Sequence, residues 1–177
     1  RSLPSLFGKR ATLLGWGGVG RGIAARLRAF GVDVGAVRRS HKGFPVLADD
    51  GVTFLGPSNW RERLPQSDFL ISALPSTKAT EGLVGREELS MLPSSACVVN
   101  VGRGETLDQA ALVSLLRENA LMGAALDVFD REPLLEDDPI WEEGRLIISP
   151  HVARSSEVPP FKWEPLFVEN LRRFVVE

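Results

Sequence analysis

The 177-residue chain has a single cysteine, no excess of either charge and no long apolar run. Cys97 cannot pair within the chain and stands among apolar neighbours, so it reads as a buried strand residue rather than a nucleophile, compatible with a reducing, cytoplasmic setting. Lysine and arginine number 21 against 23 aspartates and glutamates, a formal net of -2. No global basic field therefore recruits nucleic acid or an anionic membrane, and any anion must be bound locally. The longest apolar runs, around Cys97–Val101 and Leu146–Ile148, fall far short of the roughly 18 residues that span a bilayer. No methionine leads the chain and no signal-peptide pattern follows Arg1, so it is expected to begin inside a longer protein. No repeat, low-complexity tract or metal-ligand grouping is found. What is present is 44% hydrophobic and 25% charged residues, a folded globular composition that excludes intrinsic disorder. At roughly 150 residues per domain, the length predicts one domain with at most an appendage.

Short β-branched runs alternate with helix-length segments, which predicts an α/β fold: a doubly wound, Rossmann-type parallel sheet with helices on both faces. Ala11–Leu14 reads as the first strand and Val19–Phe30 as the first helix, with Ile23, Leu27 and Phe30 inward and Gly31 as its stop. Further strands are expected at Val32–Val37, Val52–Leu55, Phe69–Leu74, Ala96–Val101, Ala124–Val128 and Leu146–Ile148. Ser58 is expected to cap a short helix ending at Leu64, before Pro65, and Arg86–Leu92 to form another. Asp108 is expected to cap a helix through Arg117 that carries Leu112, Leu115 and Leu116 inward. Pro159 and Pro160 interrupt the chain before a last amphipathic helix at about Leu166–Phe174. The acidic residues Glu136, Asp137, Asp138, Glu142 and Glu143 read as a solvated face, and the four tryptophans as packing or domain-contact residues.

Gly15-Trp16-Gly17-Gly18-Val19-Gly20 is a G-x-G-x-x-G that leaves a predicted strand and opens a predicted helix. The first glycine permits the tight turn, the second lets a phosphate approach the backbone, and the third lets helix and strand pack closely. Free N–H groups at the helix start then face a pyrophosphate. A site for NAD usually carries Asp or Glu at the end of the second strand, about 20 residues on, to bind the ribose hydroxyls. Here Arg38 stands there, followed by Arg39 and Ser40; Asp33 is at the wrong end of that strand, and Asp49 and Asp50 lie beyond it. A guanidinium grips a 2′-phosphate that a carboxylate would repel, which predicts NADP(H) over NAD(H).

Three further segments begin in predicted strands and place polar groups just beyond their carboxyl ends: Asn100-Val101-Gly102-Arg103-Gly104, Leu126-Asp127-Val128-Phe129 through Glu132-Pro133, and Pro150-His151-Val152-Ala153. That edge of an open α/β sheet is where ligands bind. On these motifs the chain resembles the NAD(P)-dependent D-isomer-specific 2-hydroxyacid dehydrogenases over nearly all its length. Within the family, the Arg38–Ser40 loop and the stretch before the histidine look most like glyoxylate/hydroxypyruvate reductases that use NADPH.

The resemblance implies His151 as proton donor to the substrate carbonyl, Glu132 as its partner and Arg103 as the anchor of a 2-oxo acid. It implies Asp127 and the backbone at Val101 and Gly102 around the nicotinamide carboxamide, with Leu74, Pro75 and Thr80 on the adenine and phosphate side. The chemistry asks for the same types. Hydride delivered to a ketone leaves negative charge on oxygen, so an acid must supply a proton. Imidazole titrates near ~6.5 and a neighbouring carboxylate favours its charged form. Arginine's planar fork takes a carboxylate bidentately and polarises the keto oxygen.

The resemblance also implies a cofactor domain over residues 1–154, followed at 155–177 by a segment and helix crossing towards a substrate domain that this chain lacks. It implies a homodimer with a small 2-oxo or 2-hydroxy acid as substrate. A second reading stays open at this point: a non-catalytic NAD(P)-sensing module of the corepressor type.

Overall fold

A computed structural model of the chain describes residues 5–41, 43–48, 51–153 and 164–176. Eight strands form one sheet: β1 (Arg10–Leu14), β2 (Asp33–Val37), β3 (Val46–Leu47), β4 (Thr53–Leu55), β5 (Phe69–Ser72), β6 (Cys97–Asn100), β7 (Gly123–Leu126) and β8 (Leu146–Ile148). Their spatial order is β3-β4-β2-β1-β5-β6-β7-β8, and every pairing is parallel except β3 with β4. The chain winds outward from β1 in one direction and then returns to lay β5 on the other side of β1, which creates a topological switch point between β1 and β5.

Both faces of this sheet are covered, so neighbouring strand residues are buried in opposite directions. Leu13 and Ile71 join Ala11, Val34 and Ala24 in one core cluster, while Leu14 and Leu70 join Trp60, Leu112, Leu116 and Leu126 in the other. This two-sided burial is why the strands read as continuous apolar runs rather than alternating ones.

Among the described residues there are four α-helices: α1 (Gly18–Ala29), α2 (Arg86–Ser90), α3 (Gln109–Arg117) and α4 (Glu164–Val176). α3 begins where expected: the Asp108 carboxylate accepts from the Ala111 amide at 2.9 Å, and Ala111, Leu112, Leu115 and Leu116 are buried at helical spacing. α1 starts one residue ahead of Val19 and buries Gly20 and Ala24. Ile23 and Leu27 pack against the core, but Phe30 lies past the helix end and is exposed, contrary to the periodicity.

Other departures are local. The helix expected from Ser58 is a 3-10 helix, Trp60–Gln66, which starts after Asn59 and winds through Pro65. The Asn59 side chain accepts from the Gly56 amide and donates to the Gly43 carbonyl, so it closes the preceding turn and the helix begins one residue later. α2 ends at Ser90 rather than Leu92, and the strands expected to reach Leu74, Val101 and Val128 stop at Ser72, Asn100 and Leu126. β3 was not expected at all; both of its residues are exposed, so it leaves no burial pattern. Cys97 is half-buried. Within the acidic stretch, Asp138 caps a 3-10 turn through the Ile140 amide, and Glu143 is largely covered beside Arg117. Trp60 is a core residue and Trp16 is half-buried, whereas Trp141 is exposed. α4 extends two residues past each predicted end. The expectations placed on Asp49, Asp50, Pro159, Pro160 and Trp163 lie outside the described residues.

Candidate functional site

The register brings the carboxyl ends of six strands to one level: Leu14 pairs with Val37 and Ser72, Ser72 with Asn100, Asn100 with Leu126, and Leu126 with Ile148. Whatever follows those residues must emerge on a single edge. Gly15, Arg38, Leu74, Arg103, Asp127 and His151 all come within a few residues of these ends, so most of the expected site is gathered by sheet geometry alone.

At the switch point a cavity of about 550 Å³ is lined by Gly15, Trp16, Gly17, Arg38, Arg39, Ser40, Leu74, Pro75, Thr80 and neighbours. Gly15 has φ +105, and a Cβ there would lie 2.8 Å from the Ala73 carbonyl oxygen. A Cβ on Gly20 would lie 2.1 Å from the Gly15 carbonyl oxygen, which is the close helix–strand approach the third glycine is needed for. Gly17 and Gly18 face open space, and α1 is preceded by Gly17 as its N-cap, with no capping side chain and no acidic residue in its first turn. An open, positive helix start beside two arginines fits a dinucleotide pyrophosphate and its adenosine end. Val19, also expected here, is exposed on α1 and does not line the cavity. Thr80 shapes the opposite wall by donating to the Pro75 carbonyl at 2.7 Å and accepting from the Thr77 amide at 2.9 Å.

Two close backbone approaches tie this cavity to the catalytic candidates. Gly102 is buried with its missing Cβ 2.5 Å from the Leu74 carbonyl oxygen, and Gly104 has its missing Cβ 2.0 Å from the carbonyl of Phe129. The Asn100-to-Gly104 turn is thus wedged between the cavity wall and the loop leading to Glu132. Within it the Val101 amide donates to the Ser72 carbonyl, the Gly102 amide donates to Asn100 Oδ1, and Asn100 Nδ2 and Thr106 Oγ1 both donate to the Arg103 carbonyl. The Arg103 side chain is exposed; its Nη1 donates to the Gly102 carbonyl at 2.6 Å.

His151 Nδ1 and Glu132 Oε2 are 2.7 Å apart. The other Glu132 oxygen accepts from the Phe129 amide at 3.0 Å. The His151 hydrogen bond, assisted by the Phe129 amide and by the charges of His151 and Arg103, holds the Glu132 carboxyl below the usual carboxylate range. An ionised carboxylate only accepts, so Nδ1 carries the proton and Nε2 is the nitrogen turned to other work. His151 and Glu132 are therefore in direct contact, and the Arg103 charge adds to the lowering of the Glu132 carboxyl.

Asp127 is buried and its carboxylate is already engaged. Oδ1 accepts from Ser149 Oγ at 2.6 Å and the Val152 amide at 2.9 Å, while Oδ2 accepts from the Ala153 amide at 3.0 Å. The His151 amide donates to the Asp127 carbonyl at 2.9 Å. Burial pushes this carboxyl up, but Ser149, the two amides and the His151 charge outweigh it and leave it lowered. Asp127 holds the turn on which His151 sits in the left-handed region, φ +55. Sequence reasoning missed Ser149, Asn100 and Thr106 as supports; all three lie inside or beside the quoted motifs, but only their contacts reveal the role. Burial raises the Cys97 thiol pKa, as an inert strand cysteine requires. Among the described residues no cluster of His, Cys, Asp and Glu could hold a metal ion, and no helix is long and apolar enough to cross a membrane.

Comparison with known proteins agrees with this fold. The family model for D-isomer specific 2-hydroxyacid dehydrogenase, NAD binding domain, matches residues 1–153. The chain is 36% identical over 141 residues to glyoxylate/hydroxypyruvate reductase A of Salmonella heidelberg, a match covering 80% of this chain and 44% of that protein. The chain thus matches less than half the length of these curated relatives. A D-isomer specific 2-hydroxyacid dehydrogenase from Xanthobacter autotrophicus Py2, solved with NADPH and MES, superposes with TM-score 0.85 at 34% identity, covering 95% of this chain and 67% of that one. An NADPH-dependent glyoxylate/hydroxypyruvate reductase from Sinorhizobium meliloti, solved with NADP and sulfate, gives TM-score 0.82 at 29% identity, covering 99% and 54%. The chain belongs to the D-isomer specific 2-hydroxyacid dehydrogenase family, and what it contains is that family's NAD-binding domain.

Proposed function

We propose that this chain is the cofactor-binding part of a reductase that transfers hydride from NADPH to a small 2-oxo acid of the glyoxylate or hydroxypyruvate class, giving a D-2-hydroxy acid. The observation that carries the reading is the 2.7 Å contact between His151 Nδ1 and Glu132 Oε2, on the same sheet edge as the glycine-lined cavity. Such a pair has little structural purpose on an exposed loop. It suits an acid that must present Nε2 to a carbonyl oxygen in one orientation.

The nicotinamide, when bound, supplies the hydride. Gly15, Gly17, Gly18, Val19 and Gly20 are the residues to hold the pyrophosphate region, with Leu74, Pro75 and Thr80 on the far wall and Val101, Gly102 and Asp127 towards the carboxamide. Arg103 takes the substrate carboxylate and polarises the keto group. His151 gives the proton from Nε2 as charge develops on the oxygen, and Glu132 stabilises the imidazolium before transfer. Arg38, Arg39 and Ser40 favour NADPH over NADH because, among the described residues, no carboxylate lies within ion-pair distance of either arginine. Among those residues nothing neutralises the charge that a 2′-phosphate would meet. Residues 1–154 form the cofactor domain in this reading and 155–177 lead towards the substrate domain; a cytoplasmic homodimer follows from kinship and is part of the same proposal.

The test is NADPH oxidation by the gene product in its full length, with glyoxylate, hydroxypyruvate and bulkier 2-oxo acids. Turnover that His151→Ala abolishes while NADPH still binds supports the reductase. Tight NADPH binding with no oxidation on any of these acids overturns it in favour of a sensing module. In the chain itself, Arg38→Asp is expected to shift binding from NADPH towards NADH.

A further inference from the structure

Arg38 does not stand alone at the end of β2. Its guanidinium carbon lies 5.7 Å from the centroid of the Phe54 ring, and Trp16 meets the same ring edge-on, with centroids 5.0 Å apart and planes at 80°. The three residues come from three separate places. Trp16 sits between the first two fingerprint glycines, Phe54 is in β4 opposite Ala36 of β2, and Arg38 is the first residue past β2. Trp16 and Phe54 are half-buried against the core, so the ring is a fixed surface. Trp16 and Arg38 line the 550 Å³ cavity, whereas Phe54 does not.

We infer that Phe54 is a positioning residue for cofactor selection, holding the Arg38 guanidinium by its ring face at the place where a 2′-phosphate is read. The inference rests on the NADPH reading above and deepens it. A long cation at a loop start loses rotamer freedom when it grips an anion, and a pre-formed aromatic seat removes part of that cost before the ligand arrives. The main chain is fixed in the same direction: the Arg38 amide donates to the carbonyl of Leu55, the residue after Phe54, at 3.0 Å. The loop beyond is tied down as well, since the His41 amide donates to the Arg38 carbonyl and Asn59 Nδ2 donates to the Gly43 carbonyl. Trp16 extends the arrangement to the phosphate turn, so the residues that read the pyrophosphate and the 2′-phosphate share one aromatic brace. A merely structural Phe54 would weaken both cofactors alike. A positioning Phe54 weakens NADPH selectively, because NADH has no group for Arg38 to grip.

The experiment is calorimetric titration of the chain with NADPH and with NADH, for the unaltered protein, Arg38→Ala, Phe54→Leu and Phe54→Tyr, alongside thermal melts. Phe54→Leu is expected to reduce the NADPH:NADH affinity ratio about two- to fivefold, the range of a single exposed cation–π contact. Arg38→Ala should reduce it further, and Phe54→Tyr, which keeps the ring, should restore it. Should Phe54→Leu fail to fold, Phe54→Ile places a strand-favouring β-branched residue there and carries the same expectation. An unaltered protein with no preference for NADPH overturns the cofactor reading itself. A clear preference that survives unchanged in Phe54→Leu or Phe54→Ile overturns only the role assigned to Phe54.

Discussion

His151 Nδ1 lies 2.7 Å from Glu132 Oε2 across 19 residues of sequence, and Glu132 reaches it from a loop whose other anchor is the Phe129 amide. This fixes which nitrogen carries the proton and which way the ring faces. Replacing Glu132 by Gln keeps the shape but removes the charge that stabilises an imidazolium. Glu132→Gln is expected to lower kcat of the full-length protein by about 10²-fold, and His151→Ala by about 10²–10⁴-fold, the span of a general acid's contribution. NADPH affinity, measured by titration, should change little in either. A His151→Ala protein with undiminished kcat would remove the acid from the mechanism.

The Ser149–Asp127 contact predicts a different signature. A hydroxyl donating to a buried charged acceptor contributes about 1.5–3 kcal/mol, and a protein of this size shifts its Tm by roughly 2–4 °C per kcal/mol. Ser149→Ala should therefore lower Tm by about 3–12 °C. It should also lower kcat, since the turn carrying His151 loses one of the bonds that hold it at positive φ. Ser149→Thr keeps the hydroxyl and should recover most of both. A drop in Tm with kcat intact would confine Asp127 and Ser149 to stability.

The motifs expose much of this to a reader of sequence, for physical reasons. A strand buried on both faces is written as an apolar run, and the glycine or polar residue that ends it marks the ligand edge; Leu13-Leu14-Gly15 and Val98-Val99-Asn100 both read this way. The Asp108 cap is local, a side chain meeting an amide three residues on, and it is legible for that reason. Val46 and Leu47 were not, because an edge strand with both residues exposed carries no pattern. Ser58 misled because the turn is closed by Asn59 reaching back to Gly56, a competition between neighbours that residue type alone does not decide. The brace at Phe54 and the three donors to Asp127 join elements far apart in sequence, and no periodicity encodes them.

Low pH should loosen the fold in a defined window. Asp68 is held below its ordinary value of 3.8: burial pushes it up, but the Lys9 ammonium at 2.7 Å, the Arg10 amide and the charges of both residues outweigh it. Glu88, against its ordinary 4.5, is likewise lowered on balance by Arg61 and the Gly85 amide, and Asp127 is lowered by the donors described above. Each group is more acidic folded than unfolded. Its stabilisation is therefore complete above the ordinary value and is lost as pH falls through the lowered one. Circular dichroism of urea unfolding should show stability flat from pH 7 to about 5 and falling below about 4. Asp68→Asn should be less stable at pH 7 and show a shallower fall. A steeper fall in that variant would contradict the assignment.

Gly104 sets the distance between the arginine turn and the glutamate loop. A Cβ there would sit 2.0 Å from both the carbonyl carbon and the oxygen of Phe129, backbone atoms that cannot swing aside as a side-chain tip would. Gly104→Ala must therefore displace one loop. Overpacking of this kind costs about 1–3 kcal/mol, and more where backbone has to move. Because Phe129 also donates to Glu132, the displacement should reach the His151 pair, whereas the glycine cradle at Gly15–Gly20 lies on the far side of β5. The expected result is a protein that keeps NADPH binding within a few-fold, loses Tm, and loses kcat by at least tenfold. Equal loss of binding and turnover would mean that the two halves of the site are not separable at this glycine.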